Sequence, residues 1–182
     1  MISPRCDLKT PIFCRFDRNT VEIERLKGRF CNGSFTWKIY NFWQCRQNAI
    51  NEQMTVIYSP PFYTNLSGYK LCMGIHLNGV HDGVGRHIAL FVHMMQGDND
   101  GILKWPFRER IELSILDQSG QDKRDDITYT LIPGLSMRAF QRPTTSRSSL
   151  ACGFEQFAPI EKICEGQYTK NDTMLLRAQV VR

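Results

Sequence analysis

An antiparallel β-sandwich behind a short N-terminal helix is the fold class that this sequence predicts. Three observations carry that expectation. Apolar residues alternate with a period of two in several short runs, turn residues punctuate those runs, and few stretches show helical spacing. The 182 residues suit one domain with a real core. With 42% hydrophobic and 23% charged residues, low-complexity disorder is expected at most near the N-terminus.

Residues 1–18 read as irregular, with Pro4 and Pro11. The helix is expected over 19–30, "NTVEIERLKGRF", with Asn19 as its cap and Glu22 closing a capping box. Phe16, Ile23 and Phe30 are spaced by seven, and Leu26 falls between them at a d-like position. This pattern fits about two heptads of a coiled-coil seam. A plain amphipathic lead-in helix fits equally well. Either way the segment is too short to stand alone and must pack on something.

From Cys31 to Arg182 the signal is that of strands. "GSFTWKIYNF" alternates Phe35, Trp37 and Ile39. A polar, helix-compatible segment at 43–52 leads to the strand "MTVIYS" and then to "SPPFYTNLSG", whose prolines, Asn65 and Gly68 are turn chemistry. "GYKLCMGIHLNG" turns Tyr69, Leu71, Met73, Ile75 and Leu77 inward. "NGVHDGVG" is a glycine-rich loop that opens no helix, so a phosphate cradle is poorly supported. "IALFVHMMQG" puts Ile88, Leu90, Val92 and Met94 inward, and "RIELSILDQSG" does the same with Ile111, Leu113 and Ile115. A polar, irregular stretch follows, and then the short strands "AFQRP", "LACGFEQF" and "TMLLRAQVV".

The formal charge of +5 is mild. The bases are scattered, with small clusters at 104–110 and 138–147, and lack the dense aromatic-laced stripe of a nucleic-acid binder. Seven cysteines at 6, 14, 31, 45, 72, 152 and 164 form no C-x-x-C pair. Their odd number fits reduced thiols in the cytosol better than a secreted disulfide frame. No signal-peptide pattern and no apolar stretch of transmembrane length is visible.

The outer sides of two neighbouring strands present Cys72, Gly74 and His76, then Ala89, Phe91 and His93. An outward phenylalanine departs from the rule that aromatics face inward. His76, His81, His87 and His93 lie close in sequence, so a zinc site is conceivable. Against it, positions i and i+4 of one strand sit about 13 Å apart, too far to share an ion unaided. Cys152 with one of these histidines is the pair that a nucleophilic enzyme would use. No hydrolase signature surrounds it, and cysteine is a common small hydrophobe. No cofactor and no catalytic residue is expected.

Several words occur in one order. They are "WKI" at 37–39, "SPPFYT" at 59–64, "GYKLC" at 68–72, "LNG" at 77–79, "WPF" at 105–107, "LDQ" at 116–118, "FQRP" at 140–143 and "KNDT" at 170–173. Together they resemble the C-terminal (MATH) domain of the tumour-necrosis-factor-receptor-associated factors, over residues 31–181. "LFVHMMQG", "AFQRPT" and "GFEQF" resemble most the branch serving Toll/interleukin-1 receptor signalling.

The resemblance implies an eight-stranded antiparallel sandwich, trimerised through an upstream coiled coil whose seam here would hold Phe16, Ile23, Leu26 and Phe30. It implies a non-catalytic cytoplasmic adaptor that adds extended Pro-x-Glu-x-x-aromatic/acidic peptides to a sheet edge, taken from receptor tails, adaptors or kinases. No nucleic acid and no membrane insertion is expected. Family members usually carry upstream RING and zinc-finger modules. This sequence has neither, so ubiquitin-ligase activity is not expected of it. A related alternative is a substrate-recruiting adaptor for ubiquitin-dependent degradation, which normally needs a further partner domain.

The family's binding edge matches Leu150, Ala151, Cys152, Gly153 and Phe154. Ala151 and Gly153 are small enough to admit a ligand backbone. Phe154 and Cys152 fall where that branch lines a proline pocket with two aromatics, so the pocket should be shallower here. Phe91 and Phe140 match pocket phenylalanines, a buried core role being the alternative for Phe140, and His76 matches the branch. Gly74 falls where the family commonly has an arginine that meets the ligand's last acidic or aromatic residue. Read as an open outward position, it should accept an arginine without loss of stability, and nearby Arg86 is a candidate substitute.

Overall fold

Side chains turned inward at every second position draw two sheets together. The structure is a computed structural model that describes residues 18–181. One sheet runs β1 (Ser34–Tyr40), β9 (Thr173–Val181), β6 (Arg110–Ile115) and β7 (Ile127–Leu131) in that order. The other runs β2 (Ile57–Tyr58), β4 (Lys70–His76), β5 (His87–Met95) and β8 (Arg147–Pro159), with β3 (Phe62–Tyr63) also on β4. Every pairing is antiparallel.

The inward residues expected of β1, β4, β5 and β6 are buried in one core, with Met174, Leu176 and Ala178 of β9, except Tyr69, which lies just ahead of β4 and is partly buried against that core. Each large apolar side chain there contributes about 2 kcal/mol of transfer free energy. The strand count is nine because one expected strand and the turn after it resolve into β2 and β3, two residues each. Pro60 and Pro61 stand between them and have no N–H to give to a ladder.

Four local expectations change. α1 spans Arg18–Phe30, so Asn19 lies inside the helix rather than ahead of it as a cap. Glu22 closes no box; it pairs with Arg25 at 2.6 Å. "AFQRP" is not a strand: Arg138–Phe140 is a single 3-10 turn. The stretch read as irregular contains β7, and a short helix α3 (Ile160–Cys164) follows β8. The polar segment after β1 is a helix, α2 (Phe42–Ile50). Phe16, the first seam residue, lies outside the described residues.

The C-terminal end of α1 is seated on β3. Gly28 is buried so close to the Pro61 carbonyl that a Cβ there would collide with it. A glycine inside a helix costs about 0.5–1 kcal/mol, which this close approach offsets. Arg29 adds an ion pair to Asp98 at 3.1 Å and lies over the Tyr63 ring. The Cys31 thiol donates to the carbonyls of Gly28 and Tyr63.

Candidate functional site

β8 is the edge of the five-stranded sheet, with β5 as its one strand partner. An edge strand turns alternate N–H and C=O groups away from its partner, where another extended chain can pair with them. β7 is the edge of the other sheet, and it lies beside β8 on the same flank of the sandwich. Tyr129 of β7 packs on Phe154 of β8 with ring centroids 5.1 Å apart, and both rings pack on buried Phe157. Tyr129 remains 45% exposed, so it forms a rim between the two open edges. Cys152 is half-buried on the same inward side as Phe154, opposite Val92.

Registers carry the site across the sheet. Tyr58, Gly74, Phe91 and Gly153 form one row over four strands; Cys72, His93 and Ala151 form a second. Gly153 is needed where it stands, because a Cβ would run into the Leu90 carbonyl and the Phe91 backbone and ring. Phe91 therefore lies over a glycine, half-buried, with His76 edge-on at 5.7 Å. Leu150 and Ala151 are exposed on the strand edge.

Two expected site residues are placed differently. Phe140 is 1% exposed and packs on Phe107, so its ring is a core ring and offers no wall to a ligand. Gly74 is not an open position. The Tyr58 ring lies across it, and an added Cβ would sit 3.1 Å from both the Tyr58 ring and His93 Nε2. An aromatic from the neighbouring strand has filled the room that glycine leaves.

That face is paved further. His93, 8% exposed, meets the Tyr58 ring edge-on at 5.3 Å, and its Nδ1–H donates to the Ser148 carbonyl at 3.0 Å. The Arg147 guanidinium rests on the other part of this cluster, 3.5 Å from the Tyr58 ring centroid. Arg86, the candidate substitute for the missing arginine, instead donates to the Asp82 carbonyl in its own loop.

Burial sets the protonation of these groups. It pushes the Cys72 thiol up to about 11 and lowers the His76 and His93 imidazoles from their usual value. It also raises the Cys152 thiol, which works against a reactive thiolate. Among the described residues, no three His, Cys, Asp or Glu side chains are grouped so as to hold a metal ion. None of the five cysteines of the described residues is in a disulfide.

Ile23, Leu26 and Phe30 are exposed along one side of α1, Phe30 at 67%. Tyr129 was missed by sequence reasoning because β7 was. Its signal was the alternation Ile127, Tyr129, Leu131 inside a polar stretch. Tyr58 and Arg147 could not be found that way, since their roles depend on side chains meeting across strands.

A two-sheet antiparallel sandwich with an open, aromatic-lined edge defines a class of domain, and comparison with known proteins gives its family. The profile of the TRAF/meprin MATH domain matches residues 54–177, and the chain belongs to that family. It is 42% identical over 151 residues to TNF receptor-associated factor 6-A of Xenopus laevis, covering 82% of this chain and 27% of that protein. It is 39% identical over 160 residues to TNF receptor-associated factor 6 of Rattus norvegicus, covering 87% of this chain and 30% of that protein. The chain thus spans less than a third of the length of these relatives. The solved structure of Notothenia coriiceps TRAF5 superposes with a TM-score of 0.83 at 35% identity, covering 90% of this chain and 80% of that one. The TNF receptor-associated factor 6 relatives agree with the branch that the sequence resembles. Among the described residues, no helix is long and apolar enough to cross a membrane.

Proposed function

We propose that this chain is a non-catalytic, cytoplasmic adaptor domain that captures short extended peptides by adding them as a strand to β8. The ligands are Pro-x-Glu segments of receptor tails or of adaptor and kinase chains. One observation supports this reading above the others: the open β8 edge runs past Phe154 and Tyr129, whose rings pack on each other at a tilt and present apolar surface to a flat apolar residue. Proline suits such a surface, being rigid and apolar and lacking an N–H that a strand edge could use. Ala151, small and exposed, leaves room for the ligand backbone.

The exposed stripe Ile23, Leu26 and Phe30 supports assembly into a homotrimer through α1. So short a seam holds copies together only at high concentration. Light scattering tests it: Ile23→Asp with Leu26→Asp should be monomeric at hundreds of micromolar, where the wild-type chain should not.

Titration calorimetry with synthetic Pro-x-Glu peptides tests the groove. Phe154→Ala should weaken binding more than tenfold, about 1.4 kcal/mol. Unchanged affinity would remove the pocket from Phe154.

A further inference from the structure

The paving over Gly74 changes what a ligand meets at that end of the edge. In the row Tyr58–Gly74–Phe91–Gly153, two aromatic rings lie over two glycines. The Phe91 ring is part of the groove. The Tyr58 ring closes the floor, so an incoming chain touches Tyr58 and not Gly74. On Tyr58 sits the Arg147 guanidinium, 3.5 Å from the ring centroid. Arg147 is the first residue of β8 and is exposed, at the far end of the strand from Phe154.

Resting on the proposed peptide groove, we propose that Arg147, held flat by Tyr58, is the specificity-determining residue for the ligand's last position, and that it selects a carboxylate there rather than an aromatic ring. The chemistry follows from the geometry. One face of the guanidinium is already stacked on an aromatic ring, as Tyr58 supplies the cation–π contact from within the protein. What remains for a ligand is the planar edge of N–H groups, which matches a carboxylate in two parallel hydrogen bonds. Stacking also fixes the rotamers of a long side chain before the ligand arrives, so less freedom is lost on binding. The surroundings agree. His93 and Cys72 both feel the charge of the guanidinium, and burial lowers the His93 imidazole and raises the Cys72 thiol, so neither group offers Arg147 a negative charge. The one carboxylate described at the β8 edge is Glu155, beyond Phe154 and paired with His81 at 3.1 Å.

The test uses three synthetic peptides with a shared Pro-x-Glu core, ending in aspartate, phenylalanine or alanine three residues after the glutamate. They are titrated into the full chain and into Arg147→Gln, Arg147→Lys, Tyr58→Phe and Phe154→Ala. The aspartate peptide should bind the wild type about three- to tenfold more tightly than the other two, as expected for a partly solvated charged contact. That advantage should vanish in R147Q, persist in part in R147K, persist in Y58F, and shrink in 1 M salt, where screening is strong (roughly 3 Å Debye length).

Binding of all three peptides with equal affinity, lost in F154A, would leave the groove standing and overturn the role of Arg147. A phenylalanine preference, or an aspartate preference that survives in R147Q or is indifferent to salt, would overturn it too. Failure of every peptide to bind would overturn the groove itself, and this inference with it. Should R147Q not fold, the salt dependence of the wild-type preference decides.

Discussion

At one end of the β8 edge, Phe154, Tyr129 and Phe157 pack ring against ring; at the other, Arg147 lies on Tyr58 above a glycine. The first end owes its shape to apolar surface and needs no partner charge. The second is an electrostatic surface built over a backbone position that lacks a side chain. The two ends differ in what each can tolerate. Loss of a ring at the aromatic end removes packing area, whereas a new side chain at position 74 displaces a cover that other residues have already made.

The largest effect should come from between the ends. Gly153→Ala sets a Cβ against the Leu90 carbonyl and the Phe91 backbone, both main-chain atoms that cannot step aside. It should cost about 3 kcal/mol of stability in urea unfolding and disable both ends together. A loss under about 1 kcal/mol would show that β5 and β8 can part there without strain.

Gly74→Arg should cost less, about 1–2 kcal/mol, because the obstacles are the tips of Tyr58 and His93. Gly74→Ala should be nearly neutral, since relief of the glycine penalty of about 0.5–1 kcal/mol opposes the tight contact. An arginine accepted with no loss of stability would return position 74 to the open outward site that alternation alone suggests. At the other end, Tyr129→Ala should weaken peptide binding by about 1 kcal/mol, less than Phe154→Ala, because Tyr129 is a half-exposed rim. Equal losses would make the two rings one wall.

The smallest effect is one of pH. His93 has its folded-state value lowered by burial from the usual 6.5, so the unfolded chain takes up the proton first as pH falls. Stability is therefore intact above about 6.5 and is lost as pH falls through the folded value. His76 acts in the same direction. The urea midpoint should drop between about pH 7.5 and about pH 5.5, and His93→Gln should flatten that drop. A midpoint that instead rose on acidification would mean that His93 gains a charge partner when protonated.

The aromatic end was largely legible in the sequence and the basic end was not. Strands with a period of two announce which side chains face inward, and so β1, β4, β5 and β6 could be read directly. Phe154 and Gly153 came from the ordered words that the chain shares with its family. β7 was hidden because an edge strand buries little, and its polar alternates, Thr128 and Thr130, read as loop. Alternation also gave the side of the sheet on which Cys72 and Gly74 stand, but not whether that side is open. Cys72 is 2% exposed although it points away from the sandwich interior. On this side His93 lies opposite Cys72, the Tyr58 ring that packs on His93 comes from one strand over, and the Arg147 that lies on Tyr58 is distant in the chain. No local pattern encodes such a meeting. Phe140 failed for the converse reason: a family word located it, but burial against Phe107 decides what it does.

Gly28 has a consequence beyond packing. With its helix pressed onto the Pro61 carbonyl and clamped by Arg29 and Cys31, α1 leaves the sandwich at a set bearing rather than as a swinging tether. Copies gathered through Ile23, Leu26 and Phe30 would then carry their grooves at fixed separations. A weak single contact becomes useful in that arrangement, since linked engagement can raise overall avidity by about 10²–10⁴ without any new contact, provided the sites can be spanned together. Such an assembly would measure the spacing of tails in a cluster, with a missing methyl group at position 28 as its ruler.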